Sequence, residues 1–196
     1  NDRFSLLSGL SHDPLFRETL TPTYCGGTLC IPTPAAMAEL QPLATWFAEQ
    51  AVTATHLTPA MAEVLTLTAA QPLPALRHAA FGGDLLTCHV LNKFQQLAPN
   101  VRCINGYGAT ETPQLMGVQL LTELPYEYAP LGHGIEGVQL LILNAFGNLA
   151  GVGERGEIYI RTPYLSQGYL DPEQTAACFI TNPFRPADPT DRLYRT

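Results

Sequence analysis

Lysine is almost missing from this 196-residue chain: nine of its ten basic side chains are arginine, and Lys93 is the single lysine. Chemistry that needs a lysine has one candidate. Basic charge is short altogether, with 17 acidic residues against 10 basic ones and a formal net charge of −7. That balance offers no positive field to a polyanion, so it argues against nucleic-acid binding and against attachment to an acidic membrane surface. No run approaches the roughly 18 apolar residues of a membrane span, and the opening Asn1-Asp2-Arg3-Phe4-Ser5 is no signal peptide. There is no initiating Met, which we read as the sign of a piece cut from a longer chain. The five cysteines, Cys25, Cys30, Cys88, Cys103 and Cys178, contain no C-x-x-C pair. An odd, dispersed set reads as reduced thiols of a cytoplasmic protein, most of them small core hydrophobes. The five histidines show no metal spacing, and the adjacent Cys88 and His89 diverge on a helix. No G-x-x-x-x-G-K-[ST] phosphate loop occurs, and Lys93 lies inside a helical pattern.

What is present is apolar: 46% hydrophobic residues and only 14% charged ones, a composition that buries a core and does not stay disordered. Thr28–Ile31 reads as a strand between Gly26-Gly27 and Pro32. From Pro34 to about Gln50, Met37, Leu40, Leu43, Ala44 and Phe47 recur at helical spacing. Val52–Leu57 reads as a strand, Pro59 opens a second helix, and Ala75–Phe81 is a strand stopped by Gly82-Gly83. Asp84 is then the expected cap of a helix carrying Leu86, Val90, Leu91, Phe94 and Leu97, followed by a strand at Val101–Asn105. Such alternation implies an α/β fold, a mostly parallel sheet covered by helices. Past about Leu124 the helical period fades. Val138–Asn144 and Glu157–Arg161 read as strands of antiparallel hairpins joined by glycine turns. A β-rich, barrel-like portion is thus expected after a boundary near 124–132, dividing the chain into 1–128 and 129–196.

Ligands of open α/β sheets bind at the carboxyl ends of the strands. One such end is Gly82-Gly83-Asp84, where glycines let a ligand reach bare N–H groups. The other is Asn105-Gly106-Tyr107-Gly108-Ala109-Thr110-Glu111-Thr112, which combines an aromatic for stacking, a tight loop, hydroxyls for phosphate and one carboxylate for Mg²⁺. Its plainer reading is a polar turn before a helix.

That second segment resembles the N-x-Y-G-x-T-E motif of adenylation domains in nonribosomal peptide synthetases and related acyl-adenylate-forming enzymes. Residues 156–170, from Gly156-Glu157-Ile158 to Gly168-Tyr169-Leu170, resemble the later G-E-L-x-I-x-G-x-G-L-A-x-G-Y motif. Tyr194-Arg195-Thr196 resembles the start of Y-R-T-G-D, and residues 8–18 occupy the place of the F-D-x-S segment. The form His12-Asp13-Pro14-x-x-Arg17, with residues 55–61, is most similar to the α-aminoadipate reductase branch and to synthetase modules that end in a reductase. The resemblance implies the N-terminal core of an adenylate-forming enzyme. It implies ATP and Mg²⁺, and a peptidyl carrier domain whose phosphopantetheine thiol receives the activated amino acid.

Carried over by position, the resemblance assigns Tyr107 to stacking on adenine, with Asn105 and Gly83 along its edge and Gly108 in the same loop. Thr110 touches the α-phosphate, and Glu111 holds Mg²⁺; these two are the implied catalytic pair. Asp13 pairs with the α-ammonium of the amino acid, its competing role being a helix cap before Pro14. Pro14, Arg17, His56, Ala80, Gly82, Gly106, Gln114 and Leu115 complete the substrate pocket. A guanidinium there favours an acidic side chain, although Arg17 has Glu18 beside it as another partner. Two other readings stay open: a synthetase for carboxylic acids without an amine, and a non-catalytic binding module with the same fold.

The family's serine- and glycine-rich phosphate loop and its catalytic lysine have no counterpart among these residues, and Thr162-Pro163-Tyr164 replaces the Gly-x-Gly of the later motif, which puts a hinge there in doubt. The 196 residues alone are therefore expected not to form acyl-adenylate efficiently. Near-normal ATP–pyrophosphate exchange by this polypeptide would refute that expectation.

Overall fold

The computed structural model describes residues 1–38, 40–122 and 127–196. By packing, the chain falls into two units, residues 1–106 with 119–131 and residues 107–118 with 132–196. This division is interleaved, where a single cut after residue 128 was expected; part of the expected boundary, residues 123–126, lies outside the described residues.

The first unit alternates strand and helix: β1 (Arg3–Ser5), α1 (Pro14–Cys25), β2 (Thr28–Cys30), α2 (Pro34–Ala38), α3 (Leu40–Glu49), β3 (Ala54–Leu57), α4 (Pro59–Thr68), β4 (His78–Phe81), α5 (Cys88–Leu97) and the start of β5 (Arg102–Ala109). Local chemistry sets several of these ends. Proline stands at the first turn of α1 and α4, where a missing N–H costs nothing. The hydroxyl of Thr58 accepts from Met61 N–H and that of Thr87 from Val90 N–H, capping α4 and α5. Gly26, at φ 67°, ends α1 in the left-handed conformation. The expected cap Asp84 does not cap α5; its carboxylate accepts from Leu85 N–H. Residues 84–87 stay out of the helix because Thr87 bridges to Tyr128, Cys88 N–H donates to Glu127 O, and Ala129 N–H donates to Leu86 O.

The pairing of these five strands is parallel, in the order β2-β1-β3-β4-β5. The chain thus winds one way from β1 to β2 and the other way through β3, β4 and β5. Register places Thr55, Ala79 and Cys103 in one row and Leu57, Phe81 and Asn105 in another, on the same face. That face meets α3, α4 and α5 in a cluster built on Phe47, Leu65, Phe81, Phe94 and Leu57, all at most 2% exposed. Leu121 and Ala129 join this cluster from the returning segment. Burial pushes the Cys103 thiol up to about 12, which keeps it an inert core group. None of the five cysteines forms a disulfide.

The second unit takes the end of β5 and continues with β6 (Thr112–Leu121), β7 (His133–Gly134), β8 (Gln139–Leu143), β9 (Glu157–Arg161), α6 (Pro172–Cys178), β10 (Phe179–Thr181) and β11 (Arg192–Arg195). The last four strands form an antiparallel sheet in the order β10-β11-β9-β8, with Ile160 and Leu193 fully buried. This is the hairpin architecture expected of the second half. The seven-residue α6 has no counterpart in the sequence expectation; Asp171 caps it by accepting from Glu173 and Gln174 N–H. Among the described residues no helix is long and apolar enough to cross a membrane.

Phe94 has no exposed surface and stands edge-on to Phe81 at 5.3 Å. Phe94→Ala is expected to cost about 3–5 kcal/mol of stability, read as a lower urea midpoint for the first unit.

Candidate active site

Reversal of winding at β1 leaves a crevice beyond the carboxyl ends of β1 and β3, the place where open α/β sheets bind ligands. The loop after β1 and the helix α1 border that crevice. Glu18, 6% exposed, is its hub. Its Oε2 accepts from the N–H groups of Leu7 (2.7 Å) and Ser8 (2.9 Å), and its Oε1 accepts from the Ser8 hydroxyl (2.6 Å). His56 Nδ1 lies 3.4 Å from Oε1. Burial pushes the Glu18 pKa up, but His56, the Ser8 hydroxyl and the two backbone N–H groups together hold it below the ordinary carboxylate value.

A cavity of about 340 Å³ opens on the α1 side of the sheet, lined among others by Arg17, Glu18, His56, Ala80 and Ile104. His56, Ala80 and Ile104 are register partners on β3, β4 and β5, so their side chains share one face. Gly82 follows β4 close to His56: a Cβ there would lie 3.1 Å from Gly106 O and 3.3 Å from His56 Nε2. The structure thereby places Arg17, His56 and Ala80 around one cavity, with Gly82 and Gly106 beside His56. Burial lowers the Arg17 pKa, with the charges of Glu18 and Asp13 acting the other way. Its Nε is buried and has no hydrogen-bond partner. Glu18 forms no ion pair with Arg17 within 4 Å, its oxygens being taken by Ser8, Leu7 and His56. Asp13 occupies the cap position before Pro14 but gives α1 no side-chain capping bond.

Gly83 adopts φ +87°, a conformation that favours glycine. The Asn105 side chain is 2% exposed and donates to the carbonyls of Ala129 (3.3 Å) and Pro130 (3.0 Å). Its visible work is to hold the returning segment against the strand end.

The second unit carries Tyr107, Gly108, Thr110, Glu111, Gln114 and Leu115. Thr110 and Glu111 form the turn between β5 and β6, so this segment leads into a strand and not into a helix. The buried Thr112 hydroxyl closes that turn by accepting from Ala109 N–H and donating to Ala109 O, both at 3.3 Å. Gly108 cannot be replaced without rebuilding: a Cβ there would stand 1.9 Å from Gln114 O, and Gln114 itself takes φ +72°. Tyr107 is half-buried against the cluster of Met116, Val138 and Ile160. Thr110 is exposed at the tip.

Glu111 receives a 2.5 Å hydrogen bond at Oε1 from the Tyr169 hydroxyl, and the Tyr194 hydroxyl lies 3.5 Å from that of Tyr169. The bond to Glu111, with Tyr194 beside it, pushes the Tyr169 pKa far above its ordinary value, so the phenol stays a donor. The sequence names Glu18 only as a neighbour of Arg17 and Tyr169 only as the tyrosine of the later motif, and it foretells neither contact. Glu18 carried one visible signal, a charged residue on the inward side of α1. Among the described residues no group of three or more His, Cys, Asp and Glu gathers to hold a metal. A hard Mg²⁺ bound through one carboxylate plus nucleotide phosphates and water fits that donor set.

Because the folded-state pKa of Glu18 is depressed, its contribution is complete above the ordinary carboxylate value of 4.5 and is lost as the pH falls below it. Glu18→Gln is expected to flatten this acid limb of the stability curve. It should also cost about 1–3 kcal/mol at neutral pH, since buried donors lose their acceptor. Urea melts of both proteins between neutral and acidic pH measure it; parallel curves would contradict the assignment.

Residues 1–170 match the family described as AMP-binding enzyme. L-2-aminoadipate reductase from Schizosaccharomyces pombe is 40% identical across 100% of this chain, and the same-named protein of Saccharomyces cerevisiae is 37% identical across 100%. The chain spans 14% and 16% of the length of these two relatives. The nonribosomal peptide synthetase FmoA3 superposes with a TM-score of 0.85 at 29% identity, covering 100% of this chain and 21% of that one. The holo form of an NRPS protein containing adenylation and PCP domains gives 0.86 at 28%, covering 100% and 34%. The resemblance seen in the motifs is borne out in both sequence and fold: this chain belongs to the AMP-binding, adenylate-forming enzymes, on the side of the nonribosomal peptide synthetase adenylation domains and the aminoadipate reductases.

Proposed function

We propose that this chain serves the activation of an amino acid with an acidic side chain, 2-aminoadipate foremost, and its delivery to a carrier-domain thiol. The observation that carries the reading is Arg17, whose buried Nε has no partner and which lines the cavity with His56 and Ala80. A buried donor left without an acceptor is costly, and a substrate carboxylate supplies the acceptor. Relatives named for L-2-aminoadipate support the choice. Asp13 at the head of α1 takes the substrate α-ammonium, a charge-assisted contact.

A substrate carboxylate oxygen attacks the α-phosphorus of ATP. The new P–O bond forms as the bond to the bridging oxygen breaks, and pyrophosphate leaves with that electron pair. Mg²⁺, when bound, offsets the negative charge gathered on the phosphates. Glu111 holds the cation's side of this arrangement and Thr110 donates to an α-phosphate oxygen. Tyr107 presents its ring to adenine. The phosphopantetheine thiol of a peptidyl carrier domain then attacks the acyl carbon, giving up its proton as AMP departs. The protein's share is positioning and electrostatic stabilisation.

ATP–pyrophosphate exchange by the full-length protein should favour 2-aminoadipate over its uncharged isostere 2-aminohexanoate. Arg17→Leu should lower kcat/KM for the acid by about 2 kcal/mol, roughly thirty-fold, while sparing the isostere. Equal exchange with both amino acids would sink the acidic-substrate reading.

A further inference from the structure

The bond from Tyr169 to Glu111 is one of several constraints on the tip of the β5–β6 turn. Ser166 N–H donates to the backbone carbonyl of Glu111 at 2.9 Å, so the residue is gripped at main chain and side chain from the same short segment. Tyr169 is itself fixed. Its N–H donates to the Thr175 hydroxyl at 2.8 Å, and that hydroxyl lies 3.2 Å from Tyr169 O. Gly168 adopts φ +137°, and a Cβ there would stand 2.4 Å from Thr175 Cγ2, so only glycine lets the chain cross α6 this closely. The Tyr169 ring stands edge-on to Phe179 at 5.6 Å and 70°. Gly168, Thr175 and Phe179 thus support the Tyr169 main chain and ring, and the phenol ends on Glu111 Oε1.

We infer that Tyr169 is a positioning residue for the cation-binding carboxylate: it engages Oε1 of Glu111 and so presents Oε2 to the divalent cation that accompanies ATP. The inference rests on the reading of Glu111 as the Mg²⁺ ligand. A carboxylate whose orientation is fixed in advance loses less freedom on binding metal, and removing such a supporting partner commonly costs 10–100-fold in metal affinity. Nothing in the reaction asks Tyr169 to touch substrate or nucleotide.

The test is Mn²⁺ binding to the full-length protein, followed by electron paramagnetic resonance, with a non-hydrolysable ATP analogue present. Metal-free affinity for the analogue is measured alongside. Tyr169→Phe keeps the ring against Phe179 and removes only the hydroxyl. It should weaken Mn²⁺ binding about 10–100-fold and leave metal-free nucleotide affinity unchanged. Equal loss in both measurements would make Tyr169 merely structural and overturn the inference, as would unchanged Mn²⁺ affinity. Glu111→Gln separates the two levels. If it leaves Mn²⁺ binding intact, or if the wild-type protein binds no Mn²⁺, the metal reading of Glu111 fails and takes the inference with it. A strong Glu111→Gln effect with none from Tyr169→Phe overturns the inference alone.

Discussion

Everything in the first unit turns on how the crevice at β1 is closed. Winding a parallel sheet outward in both directions from one strand leaves a loop, a helix and a neighbouring strand end with unsatisfied polar groups around a gap. One buried carboxylate answers them. Glu18 takes two backbone N–H groups and a hydroxyl from the loop after β1, and it stands against His56 on β3. Desolvation opposes a charge in that place, and the donors outweigh it. The loop thus fixed delivers the chain to Asp13 at the head of α1. Arg17, one residue before the hub, lines the cavity together with it. Because Nδ1 of His56 faces the carboxylate, Nε2 faces Gly82. The cavity-lining side chains of Arg17 and His56 therefore inherit their orientation from Glu18.

The sequence was most legible where local chemistry and tertiary need agree. Proline-led helices and short apolar strand runs bounded by glycine and proline marked the α/β half, and glycine turns marked the β8–β9 hairpin. It misled where a distant segment intervenes. Asp84 was the expected cap, yet pairing with residues 127–129 keeps the chain out of the helix until Cys88. The turn at Thr110 and Glu111 looked like the prelude to a helix because its residues are polar and flexible. The Thr112 hydroxyl and the strand that follows decide otherwise.

Site residues divide the same way. Motif residues were visible because their spacing is a pattern in one stretch of chain. Their contacts were not: Glu18 meets Ser8 across 10 residues, and Tyr169 meets Glu111 across 58. A seven-residue α6 is too short to show a helical period, so the frame that aims Tyr169 left no trace beyond Gly168 and the Asp171-Pro172 start.

The interleaving of the two units bears on how the chain is made. Leu121 and Ala129 belong to the core of the first unit, and Asn105 waits for the carbonyls of Ala129 and Pro130. A ribosome delivers residues 107–118 before those partners exist. The parallel sheet can thus assemble β1 to β5 early, but its last core positions stay open until the segment up to about residue 130 emerges. During that interval residues 107–118 interrupt a core that still lacks Leu121 and Ala129. Vectorial synthesis makes this a point at which a chaperone or a wrong strand partner competes with the native ending.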